Sequence, residues 1–223
     1  MSSNNETRLY SALGLAHKSH ISKENTSFAA FEADYTNTAT NVLLDAIADP
    51  QLRPEDAVRL EITVLNFQRD TLLMTESRNP KIDQKALGVL NKGLERSADA
   101  LDATRKMSEY SKFETSIWDT ALADFDKEGL PSGDGFRKFA RSQRTSIENV
   151  NAAASTQLPE YIKNFNQARI DLIEKALVLY KMQQHEHLRE FVRWHPDDRK
   201  AQMYAQKNPG LSQDTDKAKK LEM

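Results

Sequence analysis

The chain has 223 residues, of which 39% are hydrophobic and 29% charged, and its formal net charge is −2. It contains seven glycines, seven prolines and no cysteine, a composition that favours helices and excludes disulfides, thiol catalysis and thiolate metal sites. No apolar run approaches the roughly 18 residues of a membrane-spanning helix, and the polar start of the chain lacks the pattern of a secretory signal. We therefore expect a cytoplasmic protein whose contact with membranes, where there is one, is peripheral.

Charge is divided unevenly along the sequence. Residues 1–135 hold 15 Lys and Arg against 22 Asp and Glu, a net charge of −7, whereas residues 136–207 hold 13 against 8, a net charge of +5. Two interpretations are open: the two parts neutralise each other within one bundle, or the basic part binds an anionic partner.

Helical periodicity runs through the whole sequence, and no stretch shows the sustained alternation of a β-strand. Residues 1–25 are predicted to form a flexible N-terminal arm that contains a short amphipathic helix at 6–17. The first long segment, 26–77, carries an apolar stripe that is interrupted at Pro50 and Pro54. Proline inside a helix removes a hydrogen bond and clashes with the preceding turn, so the segment is either kinked or broken there.

Two further long segments follow. Segment 80–128 begins with an asparagine-proline start signal and repeats apolar residues at roughly heptad spacing. The glycine-rich stretch 129–135 predicts a loop. Segment 136–194 has a kink or turn at Pro159 and then an apolar stripe close to a 3.5-residue period. Its predicted inward positions include Phe136, Phe139, Ile147, Val150, His187, Phe191 and Trp194.

The end of the chain is short and polar. His195-Pro196 ends the third segment, residues 197–207 are predicted to add a short helix, and 208–223 to form a disordered tail. The helical bundle domain therefore covers 26–207. Three near-equal segments predict an all-α, elongated antiparallel bundle of three long, proline-kinked helices that resemble coiled coils. The alternative is five or six shorter helices folded back on one another.

The residues predict no catalytic, cofactor or metal site. His185 and His187 lie about 200° apart around a helix and cannot hold a metal from one face. His187 with Glu190 has the spacing of helical metal sites, but such sites need several pairs of this kind. We expect His187 near a bundle end, with its ring in contact with water. Phosphate-binding loops and nucleophile elbows are also missing from the sequence, so we expect a protein that is not an enzyme.

One local feature is distinctive, a basic cluster around the predicted loop. Its members are Lys127 before the loop and Arg137, Lys138, Arg141 and Arg144 after it. Four cations in the opening turns of a helix oppose its dipole, so they do not serve the stability of that helix. A surface of this kind attracts anionic lipid headgroups, at about 1 kcal/mol per cation. Nucleic acid is not an expected partner because no recognition motif surrounds the cluster. Pairing with the acidic residues that precede the loop remains the alternative.

This layout resembles the BAR family of membrane-curvature modules, which are dimers of long, kinked three-helix coiled coils. The resemblance covers 26–194 and depends on the three-segment plan, on the cations beside the second connection, and on the stretch 156–160 (TQLPE), which is similar to the kinked entry of a BAR last helix. In that comparison the helix at 6–17 takes the part of a lipid-wedging amphipathic helix. The acidic first half departs from the family, whose lipid-binding face is usually basic.

The resemblance implies a non-enzymatic homodimer that binds anionic membrane surfaces with the basic cluster at a tip. The alternative function is a soluble helical scaffold, adaptor or effector-like protein that acts through protein–protein contacts.

Overall fold

The computed structural model describes residues 5–11, 28–76, 84–109, 134–153 and 158–207, together with Pro209. All regular secondary structure in these residues is helical, which confirms the all-α class. Residues 5–11 are helical, and they are followed by α1 (Phe28–Ala48), α2 (Pro54–Glu76), α3 (Gln84–Glu109), α4 (Asp134–Ala153), α5 (Glu160–Trp194) and α6 (Arg199–Lys207). Within this part of the chain, no helix has an apolar stretch long enough to cross a membrane.

The chain divides into two units. Unit 1 comprises Met1–Arg105 and Asp134–Leu179, and unit 2 comprises Lys106–Gly133 and Tyr180–Met223. Helix α5 therefore belongs to unit 1 up to Leu179 and to unit 2 beyond it. The domain predicted at 26–207 contains residues of both units.

In unit 1 the chain turns a corner at Pro50 and Pro54. Pro54 is the first residue of α2, where its missing N–H costs no helical hydrogen bond. Tyr35 of α1 and Phe67 of α2 pack with their ring centroids 4.8 Å apart, so α2 folds back along α1. The prediction that 26–77 forms one long kinked segment is therefore wrong. In this region, the alternative of shorter helices folded back on one another describes the chain.

A lysine from α5 holds this corner. The Lys175 ammonium donates to the backbone carbonyl of Ile47 and, at 3.0 Å, to that of Asp49. Carbonyls at a helix C-terminus have no partner within the helix and carry partial negative charge. The lysine therefore satisfies the end of α1 and ties α5 to it.

Helices α4 and α5 form a second antiparallel pair in unit 1. Asn166 of α5 donates to Asn151 of α4 at 2.7 Å, and a shared apolar cluster lies beside them. The buried members of this cluster are Ala140, Ile147, Ile170 and Ile173. Because the helices pack side by side, Pro159 marks a turn, and 136–194 is likewise not one continuous segment.

Helix α4 begins at Asp134, inside the stretch predicted as a loop at 129–135. A helical glycine such as Gly135 costs about 1 kcal/mol relative to alanine. Burial of Phe136 and Phe139, which are 0% and 1% exposed, outweighs that cost. The core positions predicted for both phenylalanines are confirmed.

The N-terminal helical residues 5–11 belong to unit 1 and contact α1. Leu9 is fully buried, and the Arg8 guanidinium bonds to the Asp45 carboxylate of α1 at 2.8 Å. The remainder of the helix predicted at 6–17 lies outside the described residues. Since Leu9 is buried within the protein, this helix would have to detach from α1 before Leu9 could enter a lipid surface.

In unit 2, α6 packs on the last turns of α5. Their shared core contains Leu188, Phe191, Val192, Ala201 and Tyr204. The Asp198 carboxylate accepts from the backbone N–H groups of Lys200, at 2.7 Å, and Ala201, at 3.2 Å, and so caps α6. The predicted end of the third segment at His195-Pro196 and the short helix after it are both confirmed.

Candidate functional site

The basic cluster predicted from the sequence lies at the start of α4, and its members face different surroundings. Lys138 and Arg141 are exposed and line a groove. Arg144 bonds to acidic side chains, and Arg137 is half-buried. Lys127 lies outside the described residues, as do the acidic residues that precede the predicted loop.

Arg144 links α4 to α5. Its guanidinium lies 2.8 Å from the Glu148 carboxylate, one turn along α4, and 2.5 Å from the Glu174 carboxylate of α5. The hydrogen bond and the charge of Glu148, together with the charge of Glu174, raise the pKa of Arg144 above its ordinary value. Arg144 therefore acts first as a bridge between helices, which the sequence prediction of a lipid contact did not anticipate.

Helices α2, α3 and α4, with two residues of α5, line a groove of about 1160 Å³. This volume is slightly above the usual range of small-molecule sites, roughly 300–1,000 Å³. Its charged lining residues are Lys85, Arg96, Lys138, Arg141 and Arg169. No aspartate or glutamate is among the lining residues that the structure describes, although the chain as a whole has more acidic than basic residues.

The groove also has an apolar lining. It is formed by Leu65, Leu72, Val89, Leu90, Ile147 and Val150. Val89 is 48% exposed and Val150 is 52% exposed, so the position of Val150 on the predicted inward face is wrong. Exposed apolar side chains and cations in the same groove suit a ligand with both an anionic and an apolar part.

A close approach of α3 to α4 forms the floor of the groove. Gln143 is 2% exposed, and its amide donates to the Gly93 carbonyl at 3.4 Å. A Cβ at position 93 would lie 3.0 Å from the Gln143 amide nitrogen and 3.4 Å from Leu65. The Arg96 guanidinium donates to the Ser142 hydroxyl. Glycine at position 93 thus lets the two helices come together.

Three of the groove's cations were not predicted from the sequence. Lys85 and Arg96 are eleven residues apart, which is three helical turns and places both on one face of α3. That spacing could have predicted a basic face on α3. The packing of α3 against α4 depends on tertiary contacts and could not be predicted from it. Arg169 bonds to Glu61, and its side chain is only 5% exposed. Nothing in the sequence distinguishes it from a surface arginine.

His187 of unit 2 is buried, against the prediction that its ring meets water. It is 9% exposed, and its Nδ1 has no hydrogen-bond partner among the described residues. Burial lowers the pKa of His187 below its ordinary value, in opposition to the nearby charges of Glu190 and Glu186. Burial therefore favours the neutral form of the ring in the folded chain.

Acidification is expected to destabilise the fold through His187. A group whose pKa is lower in the folded state stabilises the fold above its unfolded pKa, about 6.5 for histidine, and that stability is lost as the pH falls through the folded value. The loss is on the order of 1 kcal/mol for each unit by which burial lowers the pKa. Melting temperatures between pH 7.5 and pH 5 should fall less steeply for His187→Gln than for the wild type. Parallel curves would contradict this expectation.

Two further observations concern metal binding and similarity to known proteins. Among the residues that the structure describes, no three His, Asp or Glu side chains are placed to hold a metal ion. Comparison of the chain with protein-family models, with curated proteins and with solved structures found no match. The groove of unit 1 is thus the feature from which a function is inferred.

Proposed function

We propose that this chain is a non-enzymatic helical module that binds anionic membrane surfaces through the α3–α4 face of unit 1. The observation that carries the proposal is the groove, in which exposed cations and exposed valines occur together without a carboxylate in the described lining. Each cation near an anionic surface contributes about 1 kcal/mol of attraction. Apolar side chains beside such cations enter the headgroup region and add hydrophobic stabilisation.

The residues of this proposed membrane-binding site differ from those predicted from the sequence. Lys138 and Arg141 remain in it, and Lys85 and Arg96 join from α3. Arg144 is paired with Glu148 and Glu174 and does not line the groove. The membrane contact depends on these groove residues and does not require the BAR resemblance, from which only the proposed homodimer comes. The homodimer that the resemblance implies is part of the proposal, and the molecular mass in solution tests it.

Reversal of two groove charges is expected to abolish most of the vesicle binding. The variant Lys138→Glu/Arg141→Glu should bind vesicles that contain phosphatidylserine at least about tenfold more weakly than the wild type, because two attractive charges become repulsive. Co-sedimentation with these vesicles, compared with neutral phosphatidylcholine vesicles, measures the effect. Raising the salt concentration should weaken wild-type binding in the same direction.

The matched control is Lys92→Glu/Lys181→Glu. Both lysines are exposed and neither lines the groove, so this variant has the same net charge as the groove variant and should keep its vesicle binding. Equal loss in the two variants would indicate attraction by net charge alone and would contradict the proposed site. Absence of wild-type binding to any vesicle would favour the alternative of a soluble scaffold that acts through protein–protein contacts.

A further inference from the structure

Three of the five cations that line the groove lie toward one end. Arg96 of α3 bonds to Ser142 of α4, and Arg141 is the adjacent residue in the chain. Lys138 lies one turn before Ser142 and lines the same groove. Arg96 thus meets α4 at Ser142, and Lys138 and Arg141 line the groove within about one turn of that serine. Together the three cations form a charged end able to hold a phosphate or carboxylate.

In the opposite direction along the groove, two exposed valines lie among the uncharged polar residues Thr145, Ser146 and Asn149. Because Gly93 meets Gln143 and Arg96 meets Ser142, α3 and α4 run antiparallel. Val89 on α3 and Val150 on α4 therefore lie on the same side of that contact. At 1.5 Å per helical residue, Val89 lies about 10 Å from Arg96 along α3, and Val150 lies about 12 Å from Ser142 along α4.

One cation lies beyond this stretch with two valines. Lys85 lies one turn before Val89 on α3, is exposed, and also lines the groove. A lysine side chain packs its methylene groups on an apolar ligand while its ammonium stays in water. The lysine is thus compatible with an alkyl chain beneath it.

We propose that the groove binds a single-chain anionic lipid, with its head between Arg96, Lys138 and Arg141 and its alkyl chain along Val89 and Val150. The separation of the end with three cations from the stretch with two exposed valines matches the head and tail of such an amphiphile. An acidic amphipathic helix from a protein partner would instead carry its charges along its whole length. This inference rests on the proposed function, since it names the ligand of the same site.

Calorimetric titration of the full chain with alkyl phosphates tests this assignment. Octyl, decyl and dodecyl phosphate are used below their critical micelle concentrations, with inorganic phosphate and dodecyl maltoside as probes of the head and the tail alone. Each methylene that becomes buried should tighten binding by up to about fourfold. Inorganic phosphate and the neutral maltoside should each bind at least about tenfold more weakly than dodecyl phosphate.

Two single variants separate the two ends of the groove. Arg141→Glu should weaken all three alkyl phosphates about equally, whereas Val150→Asp should reduce the dependence on chain length. Both residues are exposed, so the variants should keep the wild-type melting temperature, and Lys92→Glu should bind as the wild type does. Wild-type affinity in both groove variants, or affinity that ignores chain length, would overturn the assignment. So would tight binding of an acidic helical peptide by a chain that binds no alkyl phosphate.

The vesicle experiment and the titration experiment test the two proposals independently. If the chain binds dodecyl phosphate but no vesicle, the proposed lipid site is supported and the proposed membrane function is contradicted. If the chain binds anionic vesicles but shows no preference for longer alkyl phosphates, the proposed membrane function is supported and the proposed lipid site is contradicted.

Discussion

Replacing Glu61 with glutamine is expected to destabilise the folded chain by about 3–5 kcal/mol, the loss typical when one partner of a buried ion pair is removed. Glu61 of α2 is fully buried, and Arg169 of α5 is 5% exposed. The Arg169 guanidinium donates to both carboxylate oxygens, one at 3.2 Å, and its charge lies 5.9 Å from the Phe165 ring centroid. Without Glu61 the guanidinium would remain buried without a counter-charge.

The control and the rescue use the same measurement, the free energy of unfolding in urea. Asp45→Asn breaks the exposed pair with Arg8, whose side chains are 46% and 56% exposed, and should cost no more than about 1 kcal/mol. The double variant Glu61→Leu/Arg169→Met should recover most of the loss, because an apolar pair of similar volume removes both desolvated charges. A cost for Glu61→Gln as small as that of the control would show that water reaches the buried pair.

This pair also explains why part of the fold could not be predicted from the sequence. The periodicity of apolar residues located the helices, and the proline signals located their ends, since both are local properties. Whether Pro50 and Pro54 bend a helix or turn a corner depends on contacts made far along the chain. Lys175 satisfies the end of α1 from 126 or more residues away, and Arg169 meets Glu61 across 108 residues. No local pattern encodes either contact.

The candidate site divides in the same way. Its two residues on α4, Lys138 and Arg141, were predicted because four cations at a helix start oppose the helix dipole. The contribution of α3 could not be predicted, because it depends on the approach of Gly93 to Gln143. Periodicity places a side chain on a helix face, and only tertiary packing decides what that face meets.

The last helix of the predicted bundle shows the limit of periodicity itself. Phe191 and Trp194 are three residues apart and were both assigned to the apolar stripe of the third segment. Phe191 is 2% exposed, but Trp194 is 60% exposed. The helix α5 ends at Trp194, and α6 folds back onto Phe191 and its neighbours. The stripe therefore predicts burial only where a second element covers it.

Replacing Phe191 with alanine is accordingly expected to destabilise the chain by about 3–5 kcal/mol, the usual cost of removing a buried phenylalanine ring. Its neighbours in the core of unit 2 include Leu188 and Val192 on α5 and Tyr204 on α6. The cavity would remove the largest α5 side chain from the core that holds α6, and a nine-residue helix is marginal in water without such packing. Urea unfolding gives the total cost, and hydrogen exchange should show faster exchange of the α6 amides.

Trp194→Ala is the matched control, because it removes a larger aromatic side chain from the same helix. Its ring is mostly exposed and contacts the Arg193 guanidinium, 5.8 Å from the ring centroid, an interaction worth about 0.5–1 kcal/mol at an exposed site. Equal costs for the two variants would mean that α6 does not cover Phe191 in solution. A cost confined to Phe191→Ala, with exchange in α6 but not in α1, would establish that this docking stabilises unit 2.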